Sequence, residues 1–288
     1  MTAAWPCIFR LLKNSLIANC RSIAWALFLS ILSPLYRAFT MGVLKVLCTC
    51  ALTFCLLANP SFASLNGAIP KKFGIVMFRA FDTTDITAPL EILNFIGLLY
   101  NTEVVLLSDT LEPVSTQPLT MNPKNSSVWT TFTPTHTFDT APEVDVLIVP
   151  GGPGARNPNM TAVWNYIAKA APKTKHVLTI CTGSGVAAKA GIMDGRKATT
   201  NKAAWKEITA YGPNTEWIPK ARWVEDESAE PPIWSSSGVT SGFDMLLQFV
   251  EKKYSLQNAT YMANLIEHVR ITDPSNDPFA VNINGTAA

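Results

Sequence analysis

The fold is decided by the stretch HVLTICTGSGVAA, residues 176–188. A short apolar and β-branched run is typical of a buried strand, here 176–180, and it ends in Cys181. Small residues then begin a helix, predicted over 183–190. This order is typical of a nucleophile elbow, in which a tight strand-to-helix turn lifts a reactive side chain clear of the backbone.

Cys181 is therefore the first candidate for a catalytic group. A thiol at a helix N-terminus lies near the positive end of the helix dipole, which favours the nucleophilic thiolate. The alternative is an inert structural cysteine, because free cysteine is among the most frequently buried residue types. The other five cysteines all lie in the first 55 residues. The rest of the chain thus has no disulfide or cysteine-rich zinc site of its own, and we expect no metal and no organic cofactor.

Similar apolar runs flank this stretch on its N-terminal side. They predict strands at 74–78, 104–107 and 144–149, and a Thr/Pro-rich hairpin arm before the third of these. Helical patterns are predicted at 86–100, 161–171, 241–253 and 259–269. Buried strands that alternate with helices predict an α/β fold with a mostly parallel sheet sandwiched by helices, and such sheets carry their sites at the carboxyl ends of the strands.

The first 63 residues differ in composition from the rest. They hold five basic and no acidic residues, and the apolar run after Met41 ends in small residues at Ser61 and Ala63. We expect a targeting segment over 1–63, with a signal peptide at 41–63 and secretion as the outcome. A start at Met41, a two-part membrane anchor and an organellar presequence remain open. Four sequons, at Asn125, Asn159, Asn258 and Asn284, fit a secreted glycoprotein with no stable membrane partner after cleavage.

The remainder is predicted to be one domain over 64–272, followed by a polar, frayed tail over 273–288. Without the five basic residues of the first segment, 18 basic residues stand against 21 acidic ones. A slightly acidic domain gives no support for nucleic-acid binding, which needs a surplus of positive charge to replace phosphate counterions. We therefore expect no nucleic-acid partner.

Five motifs, found in the same order as in a known family, show a family resemblance over the part of the chain from Phe73 to Arg270. They are FDTTDITAPLE at 81–91, DVLIVPGG at 145–152, ICTG at 180–183, GRKATT at 195–200 and SSGVTSGFD at 236–244. The chain resembles the ThiJ/PfpI superfamily, whose fold is flavodoxin-like and glutamine amidotransferase-like, and is most similar to its isonitrile hydratase-like branch.

The resemblance implies a set of site residues. Asp85 matches the acid that lies beside the cysteine and passes a proton to the substrate; its alternative is an ordinary acid in the first turn of a helix. The backbone amides of Gly152 and Thr182 are implied to bind an oxyanion. Asp82 is interpreted as a turn residue, and Glu91 as structural.

One position departs from the family pattern. Many relatives have histidine after the two threonines, where this chain has Asn201. Asparagine cannot act as a general base, so the Cys–His pair of the protease-like and glyoxalase-like branches is missing. His136, interpreted as part of the hairpin arm, His176 and His268 are all interpreted as structural.

These observations favour a cysteine-dependent hydratase. The resemblance implies that Cys181 attacks the terminal carbon of an isonitrile, that Asp85 supplies a proton and that water releases an N-substituted formamide. The alternatives are a glyoxalase- or deglycase-like enzyme and a non-enzymatic thiol stress sensor. The resemblance further implies a homodimer that acts on a small molecule. Related regulators carry an added DNA-binding unit, for which we expect no room after Arg270.

Overall fold

The computed structural model describes residues 69–280, which form alternating strands and helices. The strands are β1 (Lys72–Val76), β2 (Glu103–Ser108), β3 (Val114–Ser115), β4 (Thr131–Phe132), β5 (His136–Thr137), β6 (Val146–Val149), β7 (His176–Thr179), β8 (Lys197–Ala198), β9 (Glu216–Trp217), β10 (Trp223–Asp226) and β11 (Ile233–Ser236). The helices are α1 (Thr83–Leu99), α2 (Thr161–Ala170), α3 (Gly183–Lys189), α4 (Trp205–Thr209), α5 (Val239–Lys253) and α6 (Leu256–Leu265), with 3₁₀ turns at Pro153–Arg156 and Ala171–Lys173.

Seven of these strands form one sheet, in the order β10-β11-β7-β6-β1-β2-β5. Every neighbouring pair is parallel except β10 and β11. Five of the parallel strands, β2-β1-β6-β7-β11, have the 2-1-3-4-5 order of a flavodoxin-like sheet, and the short strand β5 adds to its edge. All residues of β6 and β7 are buried, as expected for central strands covered on both faces. The predicted α/β fold is confirmed.

Helices and a small hairpin complete the domain. Helix α1 packs against α5 and α5 against α6, whereas α3 packs against α2 and α4. The antiparallel pair β3–β4 is the predicted hairpin arm between β2 and β6. The interpretation of His136 as part of that arm is wrong, because His136 lies in β5 and pairs with Leu107 at the edge of the main sheet.

The last helix differs from its predicted bounds of 259–269. It begins earlier because the Ser255 side chain caps it by accepting a hydrogen bond from the Asn258 amide at 3.1 Å. It ends earlier because the backbone turns at Glu267, whose φ is 52°, outside the helical region. The other predicted elements differ from the structure only at their ends.

The chain after Asp273 also differs from the prediction. Residues 273–280 pack on the domain, where the Arg222 amide donates to the Pro274 carbonyl at 2.6 Å. The Asp277 carboxylate lies 3.4 Å from Lys202 Nζ, and both side chains are buried. A buried ammonium needs a counter-charge, which explains why this part of the tail is not frayed. The predicted targeting segment 1–63 and the last residues, 281–288, lie outside the described residues.

Within residues 69–280, no helix is both long and apolar enough to cross a membrane.

The register of the sheet brings three chain segments together. Ile75 of β1 is level with Ile148 of β6, which is level with Leu178 of β7. Since these strands are parallel, the segments that follow them emerge at one edge of the sheet. That edge therefore receives the start of α1, the turn at residues 150–152 and Cys181.

Candidate active site

Cys181 forms the predicted elbow between β7 and α3. Its φ is 57°, which is uncommon for a residue other than glycine and marks local backbone strain. Two hydroxyl groups hold its carbonyl in this conformation, from Thr200 at 3.0 Å and from Ser184 at 3.3 Å. These two bonds hold the backbone of Cys181 in place, and the residue is only 6% exposed.

The turns around the cysteine are too tight for larger residues. A Cβ on Gly183 would lie 2.2 Å from the Val149 carbonyl oxygen, and one on Gly151 would lie 2.5 Å from the Thr182 amide nitrogen. Both distances are far below van der Waals contact. The glycines at these positions therefore allow the end of β6 and the start of α3 to lie side by side.

Asp85 lies in the first turn of α1 and is completely buried. Its Oδ2 accepts a hydrogen bond from the Gly151 amide at 2.8 Å. Its Oδ1 has no hydrogen-bond partner among the described residues. Asp82, not Asp85, caps the helix by accepting from the Thr84 amide at 3.0 Å, which agrees with its interpretation as a turn residue.

The environment of Asp85 keeps its carboxyl group protonated at neutral pH. Burial and the negative charge of Asp82 raise its pKa to about 8, although the Gly151 hydrogen bond acts in the opposite direction. A neutral carboxyl group has one O–H to donate, and Oδ1 is the oxygen left without a partner. Asp85 is thus poised as an acid rather than as a charged structural group.

The thiol of Cys181 does not match the expectation of an easily formed thiolate. Burial and the charge of Asp85 raise its pKa well above the usual range. Hydrogen bonds from the Thr182 amide and the Asn201 side chain lower the pKa, but they do not compensate. The expected thiolate is wrong because removal from water raises the pKa of Cys181 by more than the dipole of one short helix can lower it.

Gly152 and Thr182 are brought together, as the resemblance implies. The Gly152 amide donates to Thr182 Oγ1 at 2.8 Å, and that hydroxyl lies 3.1 Å from the Gly152 carbonyl oxygen. The Gly152 amide therefore has an internal acceptor, which a substrate oxygen must replace before it can bind there. The Thr182 amide points to the sulfur of Cys181. The oxyanion role of these two amides stays a prediction.

Asn201 is the residue whose contribution sequence reasoning missed. Its Nδ2 donates to Cys181 Sγ at 3.3 Å, while its Oδ1 accepts from the Ala204 amide at 3.2 Å. The second bond orients the amide so that its NH₂ group faces the sulfur. The sequence shows only that a base is absent at this position; the replacement by a hydrogen-bond donor depends on the folded loop.

The three histidines are not part of this cluster. His136 lies in the edge strand β5, and His268 Nε2 lies 2.8 Å from Asp244 Oδ1. His176 begins β7, at the other end of that strand from Cys181, and burial lowers its pKa to about 4. Their interpretation as structural residues agrees with these positions. Within residues 69–280, no group of three or more His, Cys, Asp or Glu side chains is arranged to hold a metal ion.

The geometry thus combines a protonated thiol, a buried neutral acid and an amide donor to the sulfur. An acid that donates a proton to a substrate carbon and then accepts the proton of the thiol allows a net addition of S–H across that carbon. Such a pair needs no histidine base.

Comparison with known proteins agrees with this fold. Residues 71–252 match the DJ-1/PfpI family. The isonitrile hydratase of Pseudomonas putida is 28% identical over 200 residues, which cover 68% of this chain and 78% of the hydratase. The HTH-type transcriptional regulator GbdR of Pseudomonas aeruginosa is 25% identical over 189 residues, which cover 60% of this chain and 50% of the regulator.

Among solved structures, a ThiJ/PfpI family protein from Pseudomonas syringae superposes with a TM-score of 0.57 at 21% identity, over 77% of this chain and 84% of that protein. At this identity the likeness shows the fold alone. The match over residues 71–252 includes Asp85, Gly152 and Cys181 and extends over more than half of the sequence. The chain belongs to the DJ-1/PfpI family.

Proposed function

We propose that this protein is a cysteine-dependent hydratase that converts an isonitrile into an N-substituted formamide. The observation that carries the proposal is the buried carboxyl group of Asp85. Its pKa is raised, its Oδ1 has no hydrogen-bond partner among the described residues, and it is close enough to Cys181 for its charge to raise the pKa of the thiol. Addition of a thiol to the terminal carbon of an isonitrile needs an acid, which Asp85 supplies, and no strong base. The 28% identity to an isonitrile hydratase supports the same chemistry.

The proposed reaction has two steps. Asp85 donates its proton to the terminal carbon of R–N≡C while Cys181 Sγ forms a bond to that carbon, and the thiol proton passes to the Asp85 carboxylate. The product is a thioimidate, R–N=CH–S. Water then adds to the same carbon, the C–S bond breaks, the sulfur recovers a proton and R–NH–CHO leaves.

Asn201 assists the sulfur in this scheme. The hydrogen bond from its Nδ2 stabilises negative charge on Sγ both when the thiol loses its proton and when the C–S bond breaks. An amide does not take up the proton, which leaves Asp85 as the proton carrier of both steps.

The test is kcat/KM on benzyl isocyanide and on methylglyoxal. Cys181→Ser should abolish turnover of the isonitrile, and Asp85→Asn should lower kcat/KM by about 10²–10⁴-fold, the range typical of a general acid. Glu91→Gln is the matched control, since Glu91 is an exposed acid two turns further along α1. Circular dichroism checks that each variant folds.

Two outcomes would remove the proposal. Full activity of Asp85→Asn on the isonitrile would show that Asp85 is not the proton donor. Turnover of methylglyoxal without turnover of any isonitrile would favour the glyoxalase-like alternative. In that case Asn201→His, which restores a base, should increase the turnover of methylglyoxal.

A further inference from the structure

A cavity of about 360 Å³ opens beside the elbow. Asn201 forms part of its wall, and the Nδ2 atom of that residue is 3.3 Å from Cys181 Sγ. The Asn201 side chain therefore connects the cavity to the sulfur of Cys181. The size is suitable for one ring or a short alkyl group rather than for a peptide.

The charged groups that line the cavity are already paired. Arg222 donates to Asp244 Oδ2 at 2.8 Å, and Lys202 Nζ lies 3.4 Å from Asp277 Oδ2. Lys202 also donates to the Ala221 carbonyl at 2.9 Å. Since both cations have buried partners, the cavity offers no free positive charge for an anionic ligand.

The rest of the lining holds both apolar side chains and the uncharged hydroxyl side chains of Ser237, Thr240 and Ser241. Val239 and Phe279 both face the cavity, and Phe279 is 57% exposed. An aromatic ring at the rim of a cavity loses its contact with water when an apolar group binds there. The combination of paired charges and an exposed ring fits a neutral, apolar ligand.

Phe279 is held at this rim by the segment 273–280. Lys202 anchors the segment through Asp277, and the Phe279 amide donates to Asp277 Oδ1 at 3.0 Å. A second anchor is the hydrogen bond from the Arg222 amide to the Pro274 carbonyl. This segment lies beyond residues 71–252, the part of the chain that matches the family.

We propose that this cavity binds the apolar N-substituent of the substrate and that Phe279 determines the specificity for that substituent. The identity of the substrate as an isonitrile rests on the function proposed above. Binding of the substituent does not rest on that function, because it depends on the cavity and not on the reaction of Cys181.

The first test measures the dissociation constant of N-benzylformamide by isothermal titration calorimetry. We expect binding to the full chain, and Phe279→Ala should weaken it about three- to tenfold because the ring contact is lost. Phe279→Leu should recover most of the affinity, since it keeps an apolar side chain. Val269→Ala, which changes an exposed residue that does not line the cavity, is the control and should leave the affinity unchanged.

The second test measures KM and kcat for benzyl isocyanide in the same variants. Phe279→Ala should raise KM by a similar factor with little change in kcat. Absence of N-benzylformamide binding at millimolar concentration, or equal affinity in Phe279→Ala, overturns the inference. Binding that depends on Phe279 without turnover of the isonitrile supports the cavity and contradicts the proposed hydratase, so the two failures are distinguishable.

Discussion

At the scale of single residues, the protonation of Asp85 and Cys181 determines what the site can do. The same low-dielectric surroundings raise the pKa of both groups, and the charge of Asp85 raises that of the thiol further. At neutral pH the pair therefore holds both of its protons. This state disfavours reactions that need a free thiolate, and it suits a substrate that must be protonated on carbon.

The first prediction concerns the pH dependence of turnover. Asp85 must be protonated to act, and its pKa of about 8 means that activity is retained at pH 7 and falls as the pH rises through about 8. Above that value kcat/KM on benzyl isocyanide should fall about tenfold per pH unit. A profile measured from pH 6 to 10 checks this. Activity that instead rises across this range would show that the free thiolate is the reactive form.

The second prediction concerns the residue that faces the sulfur. Asn201→Ala removes the hydrogen bond to Sγ, so the pKa of Cys181 should rise and alkylation by iodoacetamide at pH 9 should become slower. Turnover should fall about three- to tenfold, the effect expected for one ordinary hydrogen bond. Asp85→Asn should act in the opposite direction on alkylation, because it removes a negative charge near the thiol. Equal alkylation rates in both variants would contradict this account of the thiol.

At the scale of elements, the close approach of β6 and α3 assembles the site. Strand β6 ends in a turn whose backbone contacts Asp85 and Thr182, while β7 leads directly into Cys181. The strained φ of Cys181 is tolerated because the Thr200 and Ser184 hydroxyls hold its carbonyl. The turn after β6 and the turn at Cys181 stabilise each other through the hydrogen bond between Gly152 and Thr182.

The third prediction compares two glycines in helices. Gly183→Ala places a Cβ 2.2 Å from the Val149 carbonyl oxygen, so we expect a loss of about 3 kcal/mol or more in the free energy of unfolding, or failure to fold. Gly97→Ala, within α1, meets its nearest atom at 3.5 Å and should stabilise the protein by about 0.5–1 kcal/mol through helix propensity. Urea denaturation of both variants measures the difference. Equal stability would show that the elbow can relax around a methyl group.

At the scale of the whole molecule, chain segments far apart in sequence meet on one side of the elbow. Asp244 of α5 binds Arg222 before β10 and also accepts from the Ile271 amide at 3.0 Å. Lys202 and Asp277 form a second connection of the same kind. The pair of Lys202 and Asp277 ties the C-terminal segment to the loop that carries Asn201.

The fourth prediction concerns the sequons. It rests on secretion of the protein, which we propose from the composition of residues 1–63, and it leaves out Asn284, which lies outside the described residues. Asn125 and Asn159 are exposed, whereas Asn258 lies half-buried in α6 and its Nδ2 donates to the Tyr100 hydroxyl at 2.7 Å. An N-linked glycan is attached to this side-chain nitrogen, so a glycan on Asn258 has to fit where Nδ2 packs against Tyr100 in the folded domain. In protein secreted from a eukaryotic host, peptide mapping should find glycans on Asn125 and Asn159 but not on Asn258. Full occupancy of Asn258 in folded protein would contradict the packing of α6.

The sequence alone determined the fold and the position of Cys181 at a strand-to-helix elbow. Buried apolar runs that alternate with helices specify a parallel sheet, and a cysteine between a strand and small residues specifies an elbow, because these patterns depend on neighbours only a few residues apart. Asp85 followed from the motif around it. Tertiary structure alone decided the protonation of Cys181, the role of Asn201 and the order of residues 273–280. Each of these depends on the loss of water and on contacts between distant segments, such as Asn201 with Cys181 and Lys202 with Asp277. Local sequence patterns do not show which distant groups become buried next to one another when the chain folds.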